Sequence, residues 1–178
     1  MSPTATAEIL VQQPDAATFK RAMRYLAGAV TVITTGEGAS RTGLTASSVS
    51  SFSADSPSIL ASVHRSSSSW QVLTRTRRFC VNVLGEGQQA VAEAFAGRGG
   101  LSGADRYLGA RWESFPSGSQ RLEGALVALD CELEEAIERH SHAILIGAIR
   151  DIALTGEAAP LLYWHGAYRR LTMETGDV

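Results

Sequence analysis

The chain has 178 residues, 44% of them apolar and 19% charged, which suits one packed domain and excludes a disordered solvating chain. Sixteen basic residues against eighteen acidic ones leave a formal charge of −2. That excludes a bulk positive field for nucleic acid or an anionic membrane surface.

Neither a basic signal-peptide start nor a run of ~20 consecutive apolar residues is present. Two cysteines, Cys80 and Cys131, are too few for a disulfide scaffold. A cytoplasmic protein with buried, reduced thiols is expected.

Residues 1–14 show no usable periodicity and are expected to form an arm ahead of one domain over 15–172, with a short tail at 173–178. Asp15 is placed to cap a helix whose Phe19, Ala22, Met23 and Leu26 fall at helical spacing, with Gly28 as its end. Residues 29–35 (AVTVITT) are rich in β-branched side chains and read as a strand. Residues 43–53 (GLTASSVSSFS) form a small, Ser-rich stretch unlike an ordinary core strand. Ile59, Ala61 and Val63 alternate, as do Phe79, Val81 and Val83, and short helical pieces lie near 69–74 and 88–96.

The Gly-rich segment 97–109 (GRGGLSGADRYLG) is loop, because each glycine inside a helix would cost about 1 kcal/mol. The cleanest strand is 127–133, with Val127, Leu129, Cys131 and Leu133 pointing one way and Asp130, Glu132 and Glu134 expected to point to water. Residues 143–154 form another long strand, with Gly147 suited to a bulge or a bend. The segment 161–171 reads as two strands around His165-Gly166. About seven short strands with a few small helices predict a mainly β, antiparallel barrel or sandwich.

Phosphate-loop, nucleophile-elbow and zinc-protease motifs are absent from the sequence. Gly36-Glu37-Gly38 has no third glycine and no following helix, so it reads as a turn. His140 and His142 form an H-x-H pair, which a strand would set on one face about 7 Å apart. A zinc site would need His64 or His165 as well, and no carboxylate or thiolate stands at a diagnostic spacing, so no metal is assigned.

The Ser-rich segments carry more. In Thr45-Ala46-Ser47-Ser48 and His64-Arg65-Ser66-Ser67-Ser68, small residues let a flat ligand reach the backbone, and hydroxyls with N–H groups can ring phosphate oxygens. Arg65 adds charge-assisted bonds. Ser68 or Ser69 as a cap would turn the next helix's N-terminus toward an anion. A polar turn with an ordinary N-cap explains the same residues equally well.

The ordered segments FKRAMRYLAGAVTVITT, GLTASSVSSFSADSPSIL, SSSSWQVLTRTRRFCVNVL, GADRYLGARWE, SHAILIGAI and PLLYWHGAYRRL resemble the short-chain flavin reductase family. The resemblance spans Phe19 to Leu171. It implies an FMN-binding split β-barrel in Greek-key order, usually a homodimer with flavin near the subunit interface. It also implies reduction of FMN or FAD by NADH or NADPH and supply of the reduced flavin to a partner monooxygenase.

By motif, the resemblance sets Thr45, Ala46, Ser47 and Ser48 against the isoalloxazine and ribityl chain, and His64, Arg65, Ser66 and Ser67 at the phosphate edge. Asp105 and Arg106, with Tyr107 in place of the family's Phe, shape the pocket or the dimer contact. His142 matches the His of a Gly-Asp-His motif beside the nicotinamide and is the candidate for the reaction step. Tyr168 is a further cofactor-binding candidate, with packing as its alternative.

Two departures stand out. His140-Ser141 replaces Gly-Asp before His142, and His64 stands where relatives often carry Asn. A flavin-binding split barrel without turnover, and a small β-barrel binding module, stay open as alternatives.

Overall fold

The computed structural model describes residues 13–155 and 158–171; most of the expected arm at 1–14, and the tail at 173–178, lie outside them. Asp15 caps α1 (Ala16–Met23), its carboxylate accepting from the N–H groups of Ala17 and Thr18 at 2.9 Å. The helix stops at Met23, earlier than expected. Gly28 belongs instead to β1 (Gly28–Ala29), where a Cβ would stand 2.9 Å from the Ser47 carbonyl oxygen. It permits a close approach and does not end the helix.

The chain continues through β2 (Thr31–Thr35), β3 (Thr42–Ala46), β4 (Val49–Ser53), β5 (Ser58–His64), α2 (Ser68–Thr76), β6 (Arg78–Val83) and α3 (Gln89–Phe95). The remaining strands are β7 (Trp112–Ser114), β8 (Gln120–Leu122), β9 (Val127–Arg139), β10 (His142–Leu154), β11 (Leu161–Trp164) and β12 (Ala167–Arg170). The described residues thus hold twelve strands, more than expected, and β9 and β10 have thirteen residues each. Strands as short as β1, β7 and β8 cover too few residues to reveal a period of two.

The largest sheet has the order β3-β2-β6-β9-β10-β5-β4. Seven strands laid flat would set its edges about 29 Å apart. Yet the two edge strands, β3 and β4, are consecutive and joined only by Ser47-Ser48, a link that spans no more than about 11 Å. The sheet must therefore roll up, leaving a seam where β3 and β4 do not pair. The segment 43–53 is two strands on opposite lips of that seam.

Ser48 pins the far lip to β5. Its carbonyl accepts from the Ser62 N–H at 3.3 Å, and its hydroxyl donates to the Ser62 carbonyl at 2.9 Å.

Inside the barrel, Ile33, Val63, Leu73, Phe79, Val81, Cys131, Leu133 and Leu145 form one core. The β9–β10 pair shifts register twice: at Ile146/Gly147, where the extra residue is Glu134 on β9, and at Ile149/Asp151, where it is Arg150 on β10. A Cβ on Gly147 would meet the Phe79 ring at 2.5 Å. A second core lies outside β2 and contains Val32, Leu84, Phe95, Tyr107 and Leu161. Because β2 is covered on both faces, all five of its residues are buried, and no alternation shows in its sequence.

Cys80 and Cys131 are both free and buried. Burial, with Asp130 nearby, pushes the Cys131 thiol up to about 12.

Candidate functional site

A cleft of about 220 Å³ opens at the near lip of the seam, lined by Val30, Thr45, Ala46, Ser47, Ala96, Arg98, Tyr163 and Tyr168. Its floor is small because β3 ends in Thr45-Ala46 and turns at Ser47. Its aromatic wall follows from register: Tyr163 pairs with Tyr168 across β11 and β12, and their rings meet edge to face at 5.5 Å. Burial pushes the Tyr168 phenol up, while the Arg98 charge pulls it down.

Thr45, Ala46, Ser47 and Tyr168, all named from the sequence, therefore come together. The Thr45 hydroxyl itself donates to the Ala92 carbonyl at 2.6 Å, which ties α3 to the cleft floor. Ser48 lies just beyond, at the seam.

The second Ser-rich segment is on the other lip. Ser62, bonded to Ser48, lies two residues before His64, so both segments flank one seam. His64 and His142 are directly opposed between β5 and β10, and their rings meet at 4.7 Å. The Ser66 N–H donates to His64 Nδ1 at 3.2 Å, and the Ser66 hydroxyl lies 2.8 Å from the same atom. A backbone N–H can only donate, so Nδ1 is the acceptor and neutral His64 carries its proton on Nε2.

Ser141 Oγ lies 2.9 Å from His142 Nδ1. His140 sits in the β9–β10 turn at φ 50°, so the H-x-H pair does not share a strand face as expected, and His142 faces His64 instead. Arg65 forms an ion pair with Glu138 and donates to the His140 carbonyl at 3.1 Å.

Ser67, not Ser68 or Ser69, is the N-cap of α2; its hydroxyl makes no capping bond and is buried without a partner. A buried hydroxyl left unpaired beside a helix N-terminus suits an anionic oxygen. With the small floor and the tyrosine pair, these donors fit a planar ring carrying a phosphate.

Asp105 and Arg106 do not line the cleft; they belong to a turn that buttresses β3. Arg106 donates to the Gly43 carbonyl, and the Tyr107 hydroxyl donates to the Thr42 carbonyl at 2.7 Å. Tyr107 packs with Phe95 and Trp112 at centroid distances of 5.0 and 4.7 Å. Burial pushes the Tyr107 phenol well up.

Sequence reasoning missed Val30, Ala96, Arg98 and Tyr163. Alternation offered a signal for Tyr163: residues 163 and 164 must face opposite sides of a strand.

The rolled sheet, its seam and the cleft of small residues and tyrosines make this a split barrel with a cleft at its seam. The family model described as "Flavin reductase like domain" matches residues 23–172, and the chain belongs to that family.

The chain is 41% identical over 160 residues to an "FMN reductase (NADH) RutF" of Methylorubrum extorquens, covering 88% of this chain and 76% of that relative. Its fold resembles the crystal structure of a putative flavin reductase from Haemophilus somnus 129pt, with TM-score 0.84 and 31% identity over 89% of this chain and 100% of that one. It also resembles BorF, the flavin reductase component of a bacterial two-component tryptophan halogenase, with TM-score 0.82 and 28% identity over 90% of this chain and 100% of that one.

Proposed function

We infer that the chain is an NADH-dependent flavin reductase that reduces FMN and passes it to a separate oxygenase or halogenase component. The observation that carries this reading is the seam cleft, with its small floor and paired tyrosines, in a chain whose family match covers nearly its whole length. The relative named an NADH-dependent FMN reductase and the neighbour from a two-component halogenase support the substrates and the partner.

Once both nucleotides are bound, the nicotinamide and the flavin supply the hydride chemistry, so the chain needs no acid–base dyad of its own. Its residues have to orient two rings face to face within about 3–3.5 Å. In this reading Ala46, Ser47 and Ser48 take the ring, Ser66, Ser67 and Arg65 the phosphate edge, and His142 the nicotinamide nucleotide, with the His64 ring set edge to face against His142. Thr45, Asp105 and Arg106 position β3, and Tyr168 walls the cleft.

The domain runs over 15–172 and works in the cytoplasm, where NADH is at hand and the free cysteines stay reduced. A homodimer follows from α1. None of its residues is buried, and Phe19, Met23 and Leu26 line a groove with Tyr163 and His165 that shares Ser47 and Tyr163 with the cleft. An uncovered apolar face continuous with the site marks it for a second copy.

The deciding experiment is NADH oxidation with and without added FMN, in wild type and in His142→Ala. Wild type is expected to oxidise NADH only when FMN is present. The variant is expected to raise KM for NADH about 10-fold while flavin affinity changes less than about 2-fold. Equal losses for both ligands would remove the role given to His142.

A further inference from the structure

We propose that Arg98 is the phosphate-reading residue of the cleft, leaving Glu93 to pair with a phosphate of the nucleotide that enters beside Ser47 and the tyrosine pair. The inference rests on the flavin reductase reading and adds to it a residue that the family motifs above do not include.

Among the described residues, Arg98 is the one charged side chain lining the cleft. It is 64% exposed and donates to Glu93 Oε1 at 2.9 Å. An exposed pair of this kind is worth about 0–1 kcal/mol. A guanidinium–phosphate pair is charge-assisted and frequently bidentate, so the exchange favours the incoming anion.

Glu93, on the last turn of α3, meanwhile holds the guanidinium near the rim. Gly97, Gly99 and Gly100 lie at φ 79°, 71° and 75°. A Cβ on Gly99 or Gly100 would meet nothing within 4 Å, so these two glycines serve the left-handed turn that follows Arg98 and not a packing need. Arg65 does not line this cleft; it stands on the other Ser-rich segment of the seam.

The phosphate has two sources, the flavin and the dinucleotide, and kinetics separate them. Steady-state assays would compare wild type, Arg98→Gln, Arg98→Lys and Glu93→Gln, with FMN or riboflavin as acceptor and NADH as donor. If the flavin phosphate is read, Arg98→Gln raises KM about 10-fold for FMN and leaves riboflavin unchanged. If the dinucleotide is read, the same factor falls on KM for NADH with either acceptor. In both cases Arg98→Lys recovers part of the loss, and Glu93→Gln lowers the affected KM about 2-fold by freeing the guanidinium.

Unchanged constants, or equal losses on FMN and riboflavin with KM for NADH unmoved, would overturn the role of Arg98. A loss that Arg98→Lys reproduces in full would do the same, because it reports loop shape and not charge. Failure of wild type to oxidise NADH when FMN is supplied would instead defeat the reductase reading itself.

Discussion

Two helices of nearly equal length, α1 with eight residues and α3 with seven, met opposite fates. Both carry apolar residues at helical spacing. In α3 that face buries Ala92 and Phe95 against β2, β3 and the Tyr107–Trp112 pair. In α1 it buries nothing: Phe19 is 55% exposed and Met23 is 43% exposed. Amphipathic spacing announces that a face will be covered, and it is silent about whether the cover comes from the same chain. Here α3 is part of the scaffold under the cleft floor, whereas α1 leaves its face uncovered beside the cleft mouth, where the proposed second copy would sit.

The sharpest way to break this contrast is Phe95→Ala. Removing a fully buried ring shared by α3, Tyr107 and Trp112 is expected to cost about 3–5 kcal/mol in urea unfolding. A loss below about 1 kcal/mol would mean that α3 is as loosely attached as α1. A smaller effect is expected for Gly43→Ala, whose Cβ would sit 2.6 Å from the Phe95 ring and 2.5 Å from the Ile33 carbonyl oxygen. Such overpacking is expected to cost about 1–3 kcal/mol and to weaken FMN binding, since β3 carries the cleft floor.

The smallest effect on folding is expected for Met23→Lys on the exposed face of α1, with stability held within about 0.5 kcal/mol. Sedimentation equilibrium should nevertheless show the proposed dimer of the wild type dissociating in the variant; a dimer unchanged by the substitution would place the interface elsewhere, and a monomeric wild type would remove it.

Much of the fold was legible beforehand. Asp15 announced its helix because a short carboxylate can satisfy first-turn N–H groups. Alternation announced β9, although its Asp130 is buried and not in water. Gly147 marked a register shift, but the extra residue there is Glu134 of the facing strand; the glycine is needed because the Phe79 ring occupies the place of a side chain. The site was legible in part. Thr45-Ala46-Ser47-Ser48 and His64-Arg65-Ser66-Ser67 stood out by composition, and the order of motifs carried the family. Arg98, in contrast, looks like any cation in a glycine-rich loop until the loop is seen to bend toward the cleft.

The sequence by itself determined the strand-rich class, the capped first helix and the two Ser-rich segments, because these follow from local sterics, capping and hydrophobic period. Only the tertiary structure decided that 43–53 breaks into the two lips of a seam, that His142 faces His64 and not His140, and that Tyr163 stands beside Tyr168. A period of two assigns a side chain to a face, but its neighbours there are set by the pairing of distant strands and by the rolling of the sheet that joins β3 to β4.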